Sequence, residues 1–332
     1  MRWGLLAIFL LAVVVVYLAA FDLNFNHDSI MSYSSTSCIR GACALVIFFD
    51  HLGLTLGIPL VLKPFTMVGY LCVSLFLFFS GYGLWGGVSL KKNYLDKFLT
   101  RKLAKLLCPV VIAEIIYLLV LKTHVMYAWY IYVICGLYVW FYISNKMIFP
   151  TNKLVTIAMG ICAYQLCCTV LAVPIVWYRA CWAFFIGCFV YKYKAQIEEK
   201  VENHYKLLLL FNTIVFIIFF LLAALLDRFV IESAVVEKLA EVLLYGISSV
   251  SCVLEVYMLT FRLNVTKVGK KLSKVGDIAY EIYLVHGFSL YFLFKYKELW
   301  FYPYITLATT ILLSLIIHKL SGKILKGLSM KW

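Results

Sequence analysis

An arginine and a histidine eleven residues apart, Arg40 and His51, frame an otherwise apolar stretch, RGACALVIFFDH. At 100° per residue, eleven helical steps return to within about 20° of the starting direction and advance roughly 16 Å, so both side chains share one face. A guanidinium grips phosphates or carboxylates through charge-assisted hydrogen bonds, and an imidazole titrates near neutrality and can move protons. Inside a bilayer either group is costly and marks a functional site or a partner. Two further segments bring similar chemistry: FLFFSGYGLWGG with Ser80, and GDIAYEIYLVHG with His286. Ser80 stands eleven residues from Lys91 and His286 nine from Asp277, which puts both at estimated depths of ~13–16 Å, comparable with His51. Asp50 adjoins His51 but points about 100° away on a helix and is poorly placed to orient it.

The elements that must carry these groups follow from composition. Hydrophobic residues make up 64% of the 332, charged residues 14%, and the mean hydropathy is +0.96. That excludes an ordinary soluble domain and reads as an integral membrane protein. The formal charge of +14 then belongs to short cytoplasmic loops and not to a nucleic-acid surface. The eleven cysteines lie mostly in apolar runs, without CxxC or metal-ligand spacing, and read as small packing residues; no metal is expected.

The expected fold is all-α, a polytopic helix bundle of about 10–11 transmembrane helices. Apolar segments of spanning length fall near 3–20, 39–60, 66–86, 106–121, 126–143, 154–172, 177–191, 207–226, 239–261, 278–296 and 303–320, each approaching the ~20 residues a bilayer requires. Residues 1–21 are expected to form an extra helix of signal-anchor type. A cleaved signal peptide is the other reading, although the Tyr17-Leu18-Ala19-Ala20 end fits a cleavage site poorly. Residues 38–321 form one membrane domain and 322–332 a basic tail.

Charge fixes the orientation. The connection holding Lys91, Lys92, Lys97, Arg101, Lys102 and Lys105 is basic, and so is every second connection after it, through to the tail with Lys319, Lys323, Lys326 and Lys331. The positive-inside rule puts these ends and the C-terminus in the cytoplasm. Arg40 then marks the cytoplasmic start of its span. At the opposite surface His124, Trp129 and Tyr130 gather near one short loop and Trp177, Tyr178 and Arg179 near the next. Aromatic faces there can stack on sugar rings, yet interfacial aromatics also anchor any membrane helix. Glu114 lies inside a span and calls for a partner or a function. Glu255 and Glu281 are expected near the cytoplasmic side, solvated or paired with basic loops.

Arg40-Gly41 followed by His51, the phenylalanine-rich FLFFSGYGL, the basic KFLTRKLAKLLCP and the late LSKVGDIAYEIYLVHG together resemble the acyltransferase 3 family. Within it the chain most resembles bacterial surface-polysaccharide O-acetyltransferases and fucose 4-O-acetylase-like proteins. The resemblance spans most of residues 38–320. Where the family carries two arginines three apart, this chain has Lys102 and Lys105 with Arg101 beside them; lysine offers a point charge and not a fork.

The resemblance implies transfer of an acyl group, usually acetyl, from acyl-CoA to a hydroxyl, often on a carbohydrate, in the bacterial cytoplasmic membrane. Arg40, Arg101, Lys102 and Lys105 would hold the phosphates of acetyl-CoA in the cytoplasm while the pantetheine arm reaches inward. His51 would act as general base on the acceptor hydroxyl. Ser80 or His286 would polarise the thioester or orient the base, and an acyl-serine or acyl-histidine intermediate stays open beside direct transfer. Glu114, Trp129, Tyr130 and Arg179 are the candidates for the acceptor, a polysaccharide or lipid-linked glycan. A transporter or flippase for a lipid-linked sugar is the second functional class, although the repeated halves common in transporters are absent from this sequence.

Overall fold

A computed structural model describes residues 30–146, 152–226, 234–262 and 267–328. Among the described residues the regular elements are all helices: α1 (Tyr33–Thr55), α2 (Lys63–Leu90), α3 (Phe98–Val120), α4 (Trp129–Lys146), α5 (Lys153–Val170), α6 (Cys181–Lys192), α7 (Lys194–Leu225), α8 (Ala234–Leu259), α9 (Lys267–Asp277), α10 (Ala279–Phe292) and α11 (Tyr302–Gly327). The first expected span, residues 3–20, lies outside the described residues. The other ten each have a helix, and the expected basic tail begins as the last turns of α11.

Among the described residues seven helices are long and apolar enough to cross a membrane, namely α1, α2, α3, α5, α7, the Val236–Leu259 part of α8, and α11. The chain is thus a polytopic helical membrane protein. The expected spans at 177–191 and 278–296 are realised by shorter helices, α6 and α10. A helix enclosed by other helices need not match the bilayer thickness, and α10 is enclosed: from Glu281 to Leu290 every residue is buried. Apolar side chains all round a helix are the sequence mark of such a central position. It packs against α1, α3 and α11.

α9 is a different kind of element. Its lysines lie on one face of a short amphipathic helix, KVGKKLSKVGD, which packs along the first half of α1. The contact is backbone-close, since a side chain at Gly41 would collide with the Leu272 carbonyl. Ser37 Oγ donates to Asp277 Oδ1 at 2.9 Å and Tyr33 Oη to the same oxygen at 2.6 Å. Ser32 caps α1, its hydroxyl accepting from Ser35 N at 3.2 Å. These ties fix the helix that carries Arg40 and His51.

The basic connections converge at one end of the bundle. Lys146 pairs with Asp96 at 3.7 Å and Lys192 reaches Asn152 at 3.4 Å, joining the α2–α3, α4–α5 and α6–α7 ends.

Candidate active site

His51 lies one turn before the end of α1, and His286 sits in the middle of α10. Their ring centroids are 4.7 Å apart with the planes at 53°. Each ring is oriented by its own helix. His51 Nδ1 donates to the Ile47 carbonyl at 2.9 Å, and His286 Nδ1 to the carbonyls of Tyr283 at 2.7 Å and Ile282 at 3.3 Å. A carbonyl oxygen only accepts, so both Nδ1 atoms carry protons and both neutral rings present Nε2 as a lone pair. His286 Nε2 is buried without a hydrogen-bond partner, while His51 is only partly buried. Two imidazole acceptors that share one space cannot satisfy each other. A donor between them would satisfy both.

A third ring completes the site. Tyr127 lies with its centroid 4.0 Å from His51 and 5.3 Å from His286, nearly parallel to the latter at 15°. It belongs to the strap 121–128 between α3 and α4. Burial, followed by the nearby Asp50 carboxylate, pushes its phenol above the ordinary value, so the hydroxyl stays neutral. The segment HVMYAWY offers no spacing signal that singles Tyr127 out, and its proximity to both histidines arises from α3, α4 and α10 meeting in space.

Glu114 explains how the strap is held. Its carboxylate pairs with His124 Nδ1 and accepts from Val125 N at 2.9 Å, so the partner sought for it is the strap itself. Trp129 stands edge-on to Tyr130 at 6.2 Å. Tyr130 is buried against Tyr283 and Phe76, in the core and not at the open surface expected for it.

Ser80 is not with the histidines. A side chain at Gly69 would collide with the Asp50 carboxylate, which sets the register of the antiparallel α1 and α2. Eleven residues further along α2, Ser80 falls level with Ile39 and Arg40, ~16 Å from the level of the pair. Its hydroxyl accepts from Tyr138 Oη at 3.4 Å. The sequence-based depth took Arg40 as the start of its helix, whereas α1 begins at Tyr33, about two turns earlier.

Arg40 therefore sits inside α1, its guanidinium 5.8 Å from the Tyr33 ring and its Nε buried without a partner. Arg101 is engaged elsewhere, donating to the carbonyls of Tyr94 at 3.0 Å and Asp96 at 2.6 Å and so closing the loop before α3. Lys102 lies 5.7 Å from the Tyr94 ring and within electrostatic reach of Lys105, Lys91 and Arg101. Lys91, Arg101, Lys102 and Lys105 form a positive cluster at the basic end of the bundle.

Arg179 is also displaced from expectation. Its guanidinium lies 4.7 Å from the Tyr70 ring and 5.0 Å from the Tyr245 ring, which are themselves edge-to-face at 5.2 Å; Asp50 and Glu241 are nearby carboxylates, and its Nε is buried and unpartnered. Cation–π contacts of this kind stabilise a desolvated guanidinium. Glu255 and Glu281 do not pair with basic loops. Asn212 and Thr213 both donate to Glu255 at 2.6 Å, and Glu281 is paired with His318 at 2.9 Å. Among the described residues no group of three or more His, Cys, Asp or Glu side chains could hold a metal ion.

A polytopic helical membrane protein with a pair of imidazole lone pairs enclosed among its central helices is built for proton transfer in a sheltered space. The family described as Acyltransferase domain, Acyl_transf_3, matches residues 33–319, and the chain belongs to this acyltransferase 3 family. The match begins at the first residue of α1 and ends within α11, so it includes both histidines. It makes the chain a membrane O-acyltransferase. No curated protein and no solved structure matches the chain.

Proposed function

We propose that the chain transfers an acetyl group from acetyl-CoA to a hydroxyl of a cell-surface or lipid-linked carbohydrate, within a bacterial cytoplasmic membrane and with its C-terminus in the cytoplasm. The observation that carries this reading is the histidine pair, with both Nδ1 atoms committed to backbone carbonyls and both Nε2 atoms available.

His51 is the general base. It is the more accessible of the two rings, and general-base catalysis by an imidazole typically contributes 10²- to 10⁴-fold. As the acceptor hydroxyl loses its proton to His51 Nε2, its oxygen attacks the thioester carbonyl carbon. The C–S bond then breaks, CoA leaves as the thiolate, and the proton on His51 returns to that sulfur. His286 Nε2, buried and otherwise unsatisfied, accepts a hydrogen bond from a donor group of the bound reactants and fixes them against His51. In this reading transfer is direct; the register of α1 and α2, which puts Ser80 ~16 Å from the level of the pair, counts against an acyl-serine.

The donor is gripped from the basic end. Arg40 supplies charge-assisted hydrogen bonds to the CoA phosphates, aided by Lys102 and Lys105, and the pantetheine arm covers the ~16 Å of helix between Arg40 and His51. Arg101 shapes that mouth through its loop carbonyls. The acceptor approaches from the other end, past Trp129 and Arg179, with Glu114 acting through the strap it holds.

The test is purified protein in nanodiscs given radiolabelled acetyl-CoA and candidate glycans, with His51→Ala as the control. Label on a glycan from the wild type alone supports the reading. Consumption of another acyl-CoA in preference to acetyl-CoA would correct the donor, and movement of a lipid-linked sugar across vesicles without label would overturn the assignment.

A further inference from the structure

Tyr127 touches both histidine rings, and its neighbours hold it there from several directions. Tyr283 Oη donates to the Tyr127 carbonyl. The Glu114 carboxylate holds His124 and the Val125 amide, and Tyr117 Oη donates to the Leu284 carbonyl at 3.3 Å, tying α3 to α10 beneath the strap. Lys122 and Tyr127 both adopt left-handed backbone, with φ of 56° and 61°. Side-chain-bearing residues keep that conformation only where the surroundings impose it. Gly287, next to His286, supplies the space: a Cβ there would lie 2.9 Å from Met126 Cβ and 3.2 Å from Tyr127 Cδ2. Held in this way, Tyr127 is still 37% exposed.

We infer that Tyr127 is a specificity-determining residue of the transfer, a partition between the histidine pair and the medium that admits a ring-bearing alcohol and rejects water. This rests on the acetyl-transfer reading above. A base that activates a sugar hydroxyl also activates water. Water attacking the same carbonyl carbon breaks the same C–S bond and gives acetate and CoA thiol, so a transferase must shelter its thioester. A pyranose presents an apolar face of C–H groups that can lie on an aromatic ring, as water cannot. The exposed part of Tyr127 is the platform for that contact, and its ring beside the pair limits the space left for water when the acceptor hydroxyl reaches His51. Glu114 is a positioning residue in this arrangement, acting through the strap.

The experiment uses the full chain in membrane vesicles of its own cells, which contain the natural acceptor, with acetyl-labelled acetyl-CoA. Free acetate reads hydrolysis and label retained on glycan reads transfer. Tyr127→Ala is expected to raise the ratio of hydrolysis to transfer by about tenfold or more, while Tyr127→Phe, which keeps the ring, stays within about twofold of wild type. Glu114→Gln should shift the ratio in the same direction by less. A role in packing alone would lower both rates together, and that result, or an unchanged ratio in Tyr127→Ala, overturns the inference. A wild-type chain that consumes no acetyl-CoA overturns the acetyl-transfer reading as well, whereas normal transfer with an unaltered ratio in the variant overturns this inference alone.

Discussion

His51 and His286 face each other at 4.7 Å between ring centroids, each with Nδ1 bonded to a carbonyl of its own helix. The two rings are therefore fixed in the same tautomer without help from any carboxylate. Removing His51 takes away the base, and His51→Ala is expected to lower kcat by 10²- to 10⁴-fold, about what general-base catalysis contributes. His286→Ala should lower it less, because it removes an acceptor that orients. The double variant should fall little below His51→Ala alone, since groups acting as a unit are not additive. Radiolabel transfer measured at saturating donor checks all three; additive losses would mean that the histidines serve separate steps.

Ser80, from a different segment of the family resemblance, offers a contrast. Its hydroxyl accepts from Tyr138 at a long 3.4 Å, and the register set by Asp50 against Gly69 keeps it from the histidines. Ser80→Ala is expected to reduce transfer by less than about threefold, in keeping with loss of one weak neutral hydrogen bond. An acyl-serine intermediate requires the opposite, complete loss of activity and a trappable acyl adduct on Ser80 in the wild type, which mass spectrometry of the intact chain would reveal.

The sequence made the bundle legible because a bilayer leaves few choices: ten of the eleven expected spans correspond to described helices. His51 and His286 do meet as expected, although the depth expected for His51 rests on the same Arg40 boundary that misplaces Ser80. What failed was any inference that needed a helix start or a third element. Ser80 was misplaced because α1 begins at Tyr33 and not at Arg40, a boundary set by the Ser32 cap in a run of serines that hydropathy does not register. Tyr130 and Arg179 look like surface groups in the sequence because it shows distance from a helix end but not which neighbours close over it. Tyr127 gave no signal at all, for a tyrosine in a short loop acquires its role only from the helices that fold around it.

Arg40 has a buried Nε without a partner, and its guanidinium lies 5.8 Å from the Tyr33 ring. A group held in that state has hydrogen-bonding capacity to give a ligand. If it grips a CoA phosphate, Arg40→Ala removes a charge-assisted bond of about 1.5–3 kcal/mol, which corresponds to a KM for acetyl-CoA roughly 10- to 150-fold higher. The kcat at saturating donor should change little, because the phosphate contact is made equally in the ground and transition states. Arg40→Lys should restore part of the affinity, as a point charge without the fork. Lys102→Ala and Lys105→Ala should act in the same direction by less and show a weaker dependence on salt than wild type. Unaltered donor KM in Arg40→Ala would remove this end of the proposed donor path.

Gly287 sets two effects of one methyl group against each other. In a helix interior, replacing glycine by alanine gains about 0.5–1 kcal/mol through reduced chain entropy. Here the added Cβ would stand 2.9 Å from Met126 Cβ, 3.1 Å from Tyr117 Oη and 3.2 Å from Tyr127 Cδ2, tighter than ordinary contact against three neighbours at once. Overpacking in a close-packed interior costs about 1–3 kcal/mol, so the steric effect outweighs the entropic one and Gly287→Ala should be destabilising on balance. The strain has one easy outlet, displacement of Met126 and Tyr127, because α10 is enclosed while the strap borders the medium. Gly287→Ala is therefore expected to lower the thermal inactivation temperature by a few degrees while donor KM stays close to wild type and transfer falls with the strap's displacement. A variant more stable than wild type, with unchanged transfer, would mean that the strap does not lie against α10 as described.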